Sequence, residues 1–385
     1  MRVLGMISGT SHDGIDVAVV DFSHHEGVLA GALRYADSVP YAPDLRARII
    51  AALPPTATDL AEVCALDTLI GQEFAAVAAS AVAAAGPVDA VCSHGQTVFH
   101  WVEAGQALGT LQLGQPAWIA ERVGAPVVAD IRARDLTVGG HGAPLASYLD
   151  HLLLRGRGGR PGALNLGGIS NMTVIGDRVR AFDIGPANAL IDAVVTAREL
   201  HPRGYDEGAR IASAGQPVPG LLELLLAEPY YRLAAPKSTG KELFNRDYVE
   251  RQVHAWGRPV RDADLLATLT ELTARTVADA VLDAGLDYLA VSGGGAHNPL
   301  LMRRLRELMP QVAVVLSDEL GAPADTKEAI LMALIGWCTL HGVPAIVPGG
   351  TGSDEPRILG SITPGAGPLR LPEPVAAVTG LVLTA

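Results

Sequence analysis

Val3-Leu4-Gly5-Met6-Ile7-Ser8-Gly9-Thr10-Ser11-His12-Asp13-Gly14-Ile15-Asp16-Val17-Ala18-Val19-Val20 is the stretch on which the fold turns. It is two apolar runs separated by a polar turn. Val3 to Ile7 and Ile15 to Val20 are aliphatic, rich in β-branched residues and bounded by turn formers, so both are expected to be strands. The turn holds Gly9 and Gly14, which let backbone N–H groups come close to a negative ligand, while Thr10 and Ser11 add hydroxyl donors. That composition suits a hairpin gripping a phosphate. It also suits an ordinary tight β-turn, and the hairpin alone does not separate the two.

Working outward, Val28 to Val39 predicts a third strand, Leu45 to Leu53 and Thr58 to Ala85 two helices, and Val88 to Ser93 a short buried strand. A helix over Pro116 to Val123 and a strand over Ala125 to Asp130 complete an order βββαβα, with an extra connection from His100 to Gly114. The same order returns downstream. Ala163 to Leu166 is a strand, the turn Gly167-Gly168-Ile169-Ser170-Asn171 follows, and Met172 to Ile175 pairs back through Gly176-Asp177 to Val179–Ile184. Helices over Asn188 to Glu199 and Asp262 to Ala284 lead to the strand Tyr288 to Ser292. The turn Gly293-Gly294-Gly295, a helix from Pro299 to Met309, a strand over Val312 to Leu316 and a last helix from Asp325 to Leu340 end the copy. Chance rarely repeats an order of six elements. The expectation is an α/β protein of two ribonuclease-H-like lobes with an interlobe cleft lined by the two glycine hairpins. The boundaries read from the sequence are 1–134 with about 350–385 for the first lobe and 135–349 for the second. Arg155 to Gly162 reads as a linker.

Composition narrows the function classes. At 385 residues the chain exceeds what one core usually serves, which agrees with two domains. Lys plus Arg number 29 against 41 Asp plus Glu, so no basic footprint for nucleic acid or anionic lipid is present. A polyanionic ligand must therefore be held by local donors. Cys64, Cys92 and Cys338 form no CxxC pair, which predicts a reducing compartment and no zinc site. The chain enters a strand at once, without the pattern of a signal peptide, and Ala329 to Leu340 is too short to span a bilayer. A cytoplasmic protein is expected.

Several familiar signatures fail. Pro236-Lys237-Ser238-Thr239-Gly240-Lys241-Glu242 has Glu242 where a P-loop needs Ser or Thr, and lacks the glycine five residues before Gly240. Gly293-x-Gly295 is followed by Asn298 where a dinucleotide fingerprint needs glycine. His94 and His100 have no ligand set for zinc. What survives is the set of turns at strand ends. Asp13 and Asp16 could hold Mg²⁺ through water, or Asp13 could shape the turn and Asp16 face solvent. Gly293-Gly294-Gly295 suits close approach to a base or ribose. Asp183 ends an alternating strand, is ionised at neutral pH with an ordinary pKa near ~3.9, and is the candidate general base.

Taken together, these motifs resemble a known family. Gly5-Met6-Ile7-Ser8-Gly9-Thr10-Ser11-x-Asp13-Gly14-Ile15-Asp16, His94-Gly95-Gln96-Thr97-Val98, Asp130-Ile131-Arg132-x-Arg134-Asp135 and Gly142-Ala143-Pro144-Leu145 look like anhydro-N-acetylmuramic acid kinase. So do Asn165-Leu166-Gly167-Gly168-Ile169-x-Asn171, Pro236 to Gly240 with Phe244-Asn245, and Gly293-Gly294-Gly295-Ala296-x-Asn298. The match runs in order through nearly the whole chain.

The resemblance implies the hexokinase/actin/Hsp70 (ASKHA) type of fold. It implies ATP and Mg²⁺ as cofactors, a homodimer, and a small-molecule sugar substrate with no nucleic-acid or membrane partner. The reaction implied is hydrolytic opening of the 1,6-anhydro ring with phosphorylation of O6, in cell-wall recycling. Asp183 would take the proton of the attacking water. Gly9, Thr10, Ser11, His12, Asp13, Gly14, Ile15 and Asp16 would be the ATP-binding stretch, joined by Gly167, Gly168, Gly293, Gly294, Gly295 and Asn298. Thr97, Arg132, Asn188 and Glu328 would contact the sugar, although Glu328 could equally lie in an exposed first helical turn. The chain departs from the family in Asp183-Ile184-Gly185-Pro186-Ala187-Asn188, where Asp-Thr-Gly-Pro-Gly-Asn is usual. His12, Phe99, His141 and Gly350 are further departures. A kinase for another sugar, and an actin- or chaperone-like nucleotide-binding protein, are the competing expectations.

Overall fold

The apolar runs of the opening stretch become the middle of a sheet because both of their faces are covered. The computed structural model describes residues 1–9, 11–176, 178–235 and 237–384. Its strands are β1 Arg2–Ser8, β2 Gly14–His25, β3 Val28–Pro40, β4 Ala90–Glu103, β5 Gln106–Leu113, β6 Val127–Ala129, β7 Pro161–Leu166, β8 Ile169–Val174, β9 Arg180–Pro186, β10 Tyr288–Ser292, β11 Ala313–Leu316, β12 Ser361–Thr363 and β13 Gly380–Thr384. The chain divides into two units, Met1–Arg155 with Leu320–Ala385, and Gly156–Glu319.

In the first unit the sheet runs β12-β6-β4-β1-β2-β3-β13, with β5 on β4. β1 pairs antiparallel with β2, Ile7 opposite Asp16, and parallel with β4. Leu4, Met6, Ile15, Val17 and Val19 point to one face, where they join Leu66, Ile70 and Phe74 of the helix Leu60–Ala85 in one core. Asp59 caps that helix by accepting from the Glu62 amide at 2.8 Å. By length and composition alone it could cross a membrane, but one of its faces lies in this core. The opposite face of the sheet meets the helix Lys327–Leu340, in which every residue but Glu328 is buried. Contact there is so close that a Cβ on Gly5 would lie 2.0 Å from the Ala329 carbonyl oxygen.

In the second unit the order is β11-β10-β7-β8-β9. β7, β8 and β9 are antiparallel and β10 and β11 parallel to β7. With β7 read as the first strand, the order is third-second-first-fourth-fifth, which β3-β2-β1-β4-β6 reproduces in the first unit. The ribonuclease-H-like duplication expected from the sequence is therefore present in the strand orders themselves. Leu164, Met172, Ile184 and Val291 pack under the helices Asp262–Asp283 and Pro299–Leu308. A second core, around Leu221, Phe244, Tyr248 and Leu269, joins the helices Asn188–Ala197, Pro219–Leu226 and Arg246–Trp256 to the long one.

Three features depart from the sequence reading. The helices Ala146–Leu154 and Lys327–Leu340 belong to the first unit rather than to a second lobe over 135–349. They are tied there by a buried ion pair, Lys327 Nζ to Asp150 Oδ1 at 2.5 Å. The connection expected from His100 to Gly114 is instead the β4–β5 hairpin. Phe99, Trp101, Leu108 and Leu111 are exposed on it, so its pattern lacks the buried alternation by which strands are recognised. Finally, the tail, for which the sequence reading gives no element, forms β13, which adds parallel to β3. The expected turn Gly176-Asp177 falls partly outside the described residues, as Asp177 is not among them.

Candidate active site

The turn between β1 and β2 is fastened to β4 by one side chain. Gln96 donates from Nε2 to the Gly9 carbonyl at 3.0 Å, and its Oε1 lies 2.7 Å from Ser8 Oγ, which is also 2.7 Å from the Gly14 carbonyl. Both ends of the glycine turn are thus held by one buried amide–hydroxyl pair. Within the turn Ser11 Oγ donates to Asp13 Oδ1 at 2.6 Å, so Asp13 shapes the loop. The Asp13 carbonyl accepts from the Tyr41 amide and the His12 carbonyl from Arg46 Nε. The Ile15 side chain lies in the core, which leaves only its backbone at the turn. Thr10, expected to donate a hydroxyl, lies outside the described residues.

Asp16 begins a patch of acid. Burial pushes its carboxyl up to about 6, Ser38 pulls it down by hydrogen bonding, and the charges of Glu328, Asp13 and Asp325 push it up again. A carboxyl raised from its ordinary 3.8 binds its proton more tightly folded than unfolded. Its stabilising contribution is therefore full below about pH 4 and is lost as the pH rises through about 6. Asp16→Asn is expected to raise the melting temperature of the ligand-free protein at pH 7 and to flatten its dependence between pH 4 and 7. Calorimetry showing an unchanged slope would refute the raised pKa of Asp16.

Arg132 stands near this patch. Burial lowers its pKa, and the charges of Glu328 and Asp135 offset part of that. Its Nε donates to His94 Nε2 at 2.8 Å and its Nη1 to the Gly142 carbonyl at 2.5 Å. Asp135, buried, accepts from the Gly142 amide at 2.6 Å and from Thr351 Oγ1 at 2.8 Å. Thr97 follows Gln96 on β4 and accepts from Gln112 Nε2 at 3.2 Å. Glu328 is exposed, whereas its neighbour Lys327 is turned inward to Asp150. The Thr97, Arg132 and Glu328 positions thus lie on β4, the 130–142 loop and one helix of the same unit.

In the second unit Asp183 sits half-buried on β9. Its Oδ2 accepts from Ser238 Oγ at 2.9 Å and from the Thr239 amide at 3.1 Å. Its backbone donates to the Lys237 carbonyl and accepts from Tyr230 OH. Burial raises its pKa, the Thr239 and Ser238 donors oppose that, and Glu242 adds to it. Among the described residues no donor reaches Oδ1. This is a carboxylate fixed by one oxygen with the other open. The Lys237 ammonium instead donates to the Tyr230 and Tyr231 carbonyls and lies 4.7 Å from the Tyr230 ring centroid. The segment that imitates a P-loop is thus a holder of Asp183, although Pro236 lies outside the described residues.

Gly167 and Gly168 turn between β7 and β8, where their carbonyls accept the amides of Ala187, Asn188 and Ala189. Asn188 Nδ2 also donates to the Leu166 carbonyl at 3.2 Å, so this side chain supports the turn. Gly293, at φ 83°, permits the approach of β10 to this turn, since a Cβ there would lie 2.4 Å from Asn165 Oδ1. Gly294 and Gly295 continue a short 3₁₀ turn. Asn298 caps the next helix by accepting from the Leu301 amide at 2.9 Å. Gln96, His94, Asp135, Ser238 and Thr239 were not singled out as site residues from sequence. Their only signal there was membership of the quoted motifs.

A family model described as anhydro-N-acetylmuramic acid kinase matches residues 1–365. An anhydro-N-acetylmuramic acid kinase of Rhodococcus erythropolis is 49% identical over 377 residues, 95% of each chain. One of Streptomyces coelicolor is 50% identical over 380 residues, 97% of this chain and 96% of the relative. Among solved structures, a ROK family glucokinase from Streptomyces griseus in complex with glucose and AMPPNP aligns at a TM-score of 0.38 and 16% identity. That alignment covers 87% of this chain and 99% of that one. The fold assignment rests on the strand orders above and not on that likeness.

Proposed function

We propose that this chain, which belongs to the anhydro-N-acetylmuramic acid kinase family, uses ATP and water to convert 1,6-anhydro-N-acetylmuramic acid to N-acetylmuramic acid 6-phosphate. Water adds to the anomeric carbon, the bond from that carbon to O6 breaks, and O6 takes the γ-phosphoryl group as ADP leaves. Asp183 accepts the water proton. The observation that carries this reading is its half-buried carboxylate, with Oδ2 held by Ser238 and Thr239 and its pKa raised towards that of a working base.

The Gly9–Asp16 turn, Gly167, Gly168, Gly293, Gly294 and Gly295 hold the nucleotide through backbone groups. Thr97, Arg132 and Glu328 hold the sugar, with Asn188 keeping the Gly167-Gly168 turn in place and Asn298 capping the helix that follows Gly293-Gly294-Gly295. Asp13 and Asp16 would hold Mg²⁺ through water. The fit lies in the donor set, carboxylates only, at an Asp16 whose pKa burial raises and the charges of Glu328, Asp13 and Asp325 raise further. Bound there, the ion would neutralise phosphate charge. The protein is assigned to the cytoplasm, as its reduced cysteines suit, and to a homodimer.

The test is turnover of ATP with anhydroMurNAc, MurNAc and glucose in parallel, with the product analysed after reaction in H₂¹⁸O. A 6-phosphate from anhydroMurNAc carrying one ¹⁸O at the anomeric carbon is expected. Preference for MurNAc or glucose would replace the substrate, and ATP hydrolysis without a phosphorylated sugar would remove the kinase reading.

A further inference from the structure

We propose that His94 is a positioning residue for the sugar site: it fixes the plane of the Arg132 guanidinium and affects the reaction only through it. The inference rests on Arg132 as a sugar contact. His94 itself is 3% exposed, too little to touch a substrate. Its Nδ1 lies 2.9 Å from the Gly95 carbonyl oxygen, which can only accept, so Nδ1 carries the proton. That leaves a lone pair on Nε2, where Arg132 Nε donates at 2.8 Å. One neutral tautomer serves both bonds, and burial beside the Arg132 charge holds the ring neutral, with its pKa down to about 3.

A single hydrogen bond would let the guanidinium pivot. The second, from Nη1 to Gly142, is anchored in turn by Asp135 and Thr351. Two bonds from different nitrogens, leaving the group in different directions, set the plane, and among the described residues Nη2 donates no hydrogen bond. Nη2 is therefore presented to a ligand oxygen in a fixed direction, which is the use of a guanidinium that a lysine could not supply. The histidine and the arginine are 38 residues apart in the chain, and neither is predicted by the other's spacing.

The experiment is steady-state kinetics with anhydroMurNAc and ATP for wild type, His94→Leu, His94→Gln, Arg132→Ala and the double variant. His94→Leu is expected to raise the KM for the sugar about 10-fold or more and to leave the KM for ATP within about twofold. His94→Gln, whose amide oxygen can replace the Nε2 acceptor, is expected to stay within about threefold of wild type. In the Arg132→Ala background, His94→Leu is expected to add nothing, because a residue acting through Arg132 has nothing left to act on. A further loss in that background, or equal increases in both KM values, overturns the proposal, as these mark a general structural role. Should His94→Leu fail to fold, His94→Gln decides: a sugar KM as high as that of Arg132→Ala overturns it. Absence of anhydroMurNAc turnover by wild type defeats the functional reading itself, whereas wild-type turnover with an unaffected His94→Leu defeats only the role of His94.

Discussion

Asp183→Asn is expected to lower kcat about 10²-fold or more while leaving both KM values within about threefold. The amide keeps an oxygen for Ser238 Oγ and the Thr239 amide, so the side chain stays in place. What it loses is the capacity to accept a proton from water. A factor of 10² corresponds to about 2.7 kcal/mol of barrier. An unchanged melting temperature would show that the loss is chemical. The pH profile should agree: the base works ionised, so kcat/KM falls on the acid side, and burial places that limb above the usual aspartate range. A variant that retains kcat within threefold would take the base role from Asp183, whatever the sugar.

Gly5→Ala should cost about 3 kcal/mol or more of unfolding free energy, at the upper end of overpacking effects. The added Cβ would lie 2.0 Å from the Ala329 carbonyl oxygen and 2.3 Å from the Ala333 amide nitrogen, both backbone atoms of the helix Lys327–Leu340. No side chain is available to swing aside. Nor can the helix simply lift, since Gly336 lies against Cys92 and Val3 further along. Activity should fall with stability, as Glu328 sits one residue before Ala329 in the first turn of that helix. Urea unfolding of the two proteins measures the difference, and a midpoint equal to wild type would mean that the strand–helix contact yields at little cost.

That contact marks where the sequence stops being legible. Gly5 reads in the chain as a small residue diluting a strand, and nothing nearby says that a helix more than 300 residues later will rest on it. The same distance moved the unit boundary. Lys327–Leu340 is apolar on all sides, which tells that it is buried but not which sheet buries it. The exposed β4–β5 hairpin was missed for the opposite reason, because its apolar residues face outward.

Within the candidate site the division is similar. Asp183 was recognisable as a carboxylate on an alternating strand, a local signal, although the strand does not end there but runs on to Pro186. The groups that hold it, Ser238 and Thr239, lie 55 and 56 residues away in a segment that imitates a phosphate loop. Asp16 was legible as a carboxylate beside a glycine turn, while its raised pKa comes first from burial and then from Glu328, Asp13 and Asp325, all supplied by the fold.

By itself, then, the sequence determined the strands of the repeated order, the glycine turns and the family, because these depend on local alternation, on backbone freedom and on motifs of neighbouring residues. Only the tertiary structure decided that His94 holds Arg132, that Thr351 secures Asp135 across 216 residues, and that Lys327 turns inward to Asp150 while Glu328 stays exposed. These are pairings between groups that each had many partners available in the chain. Close packing around the two sheets selects among them, and a one-dimensional pattern holds no record of which buried donor will meet which acceptor.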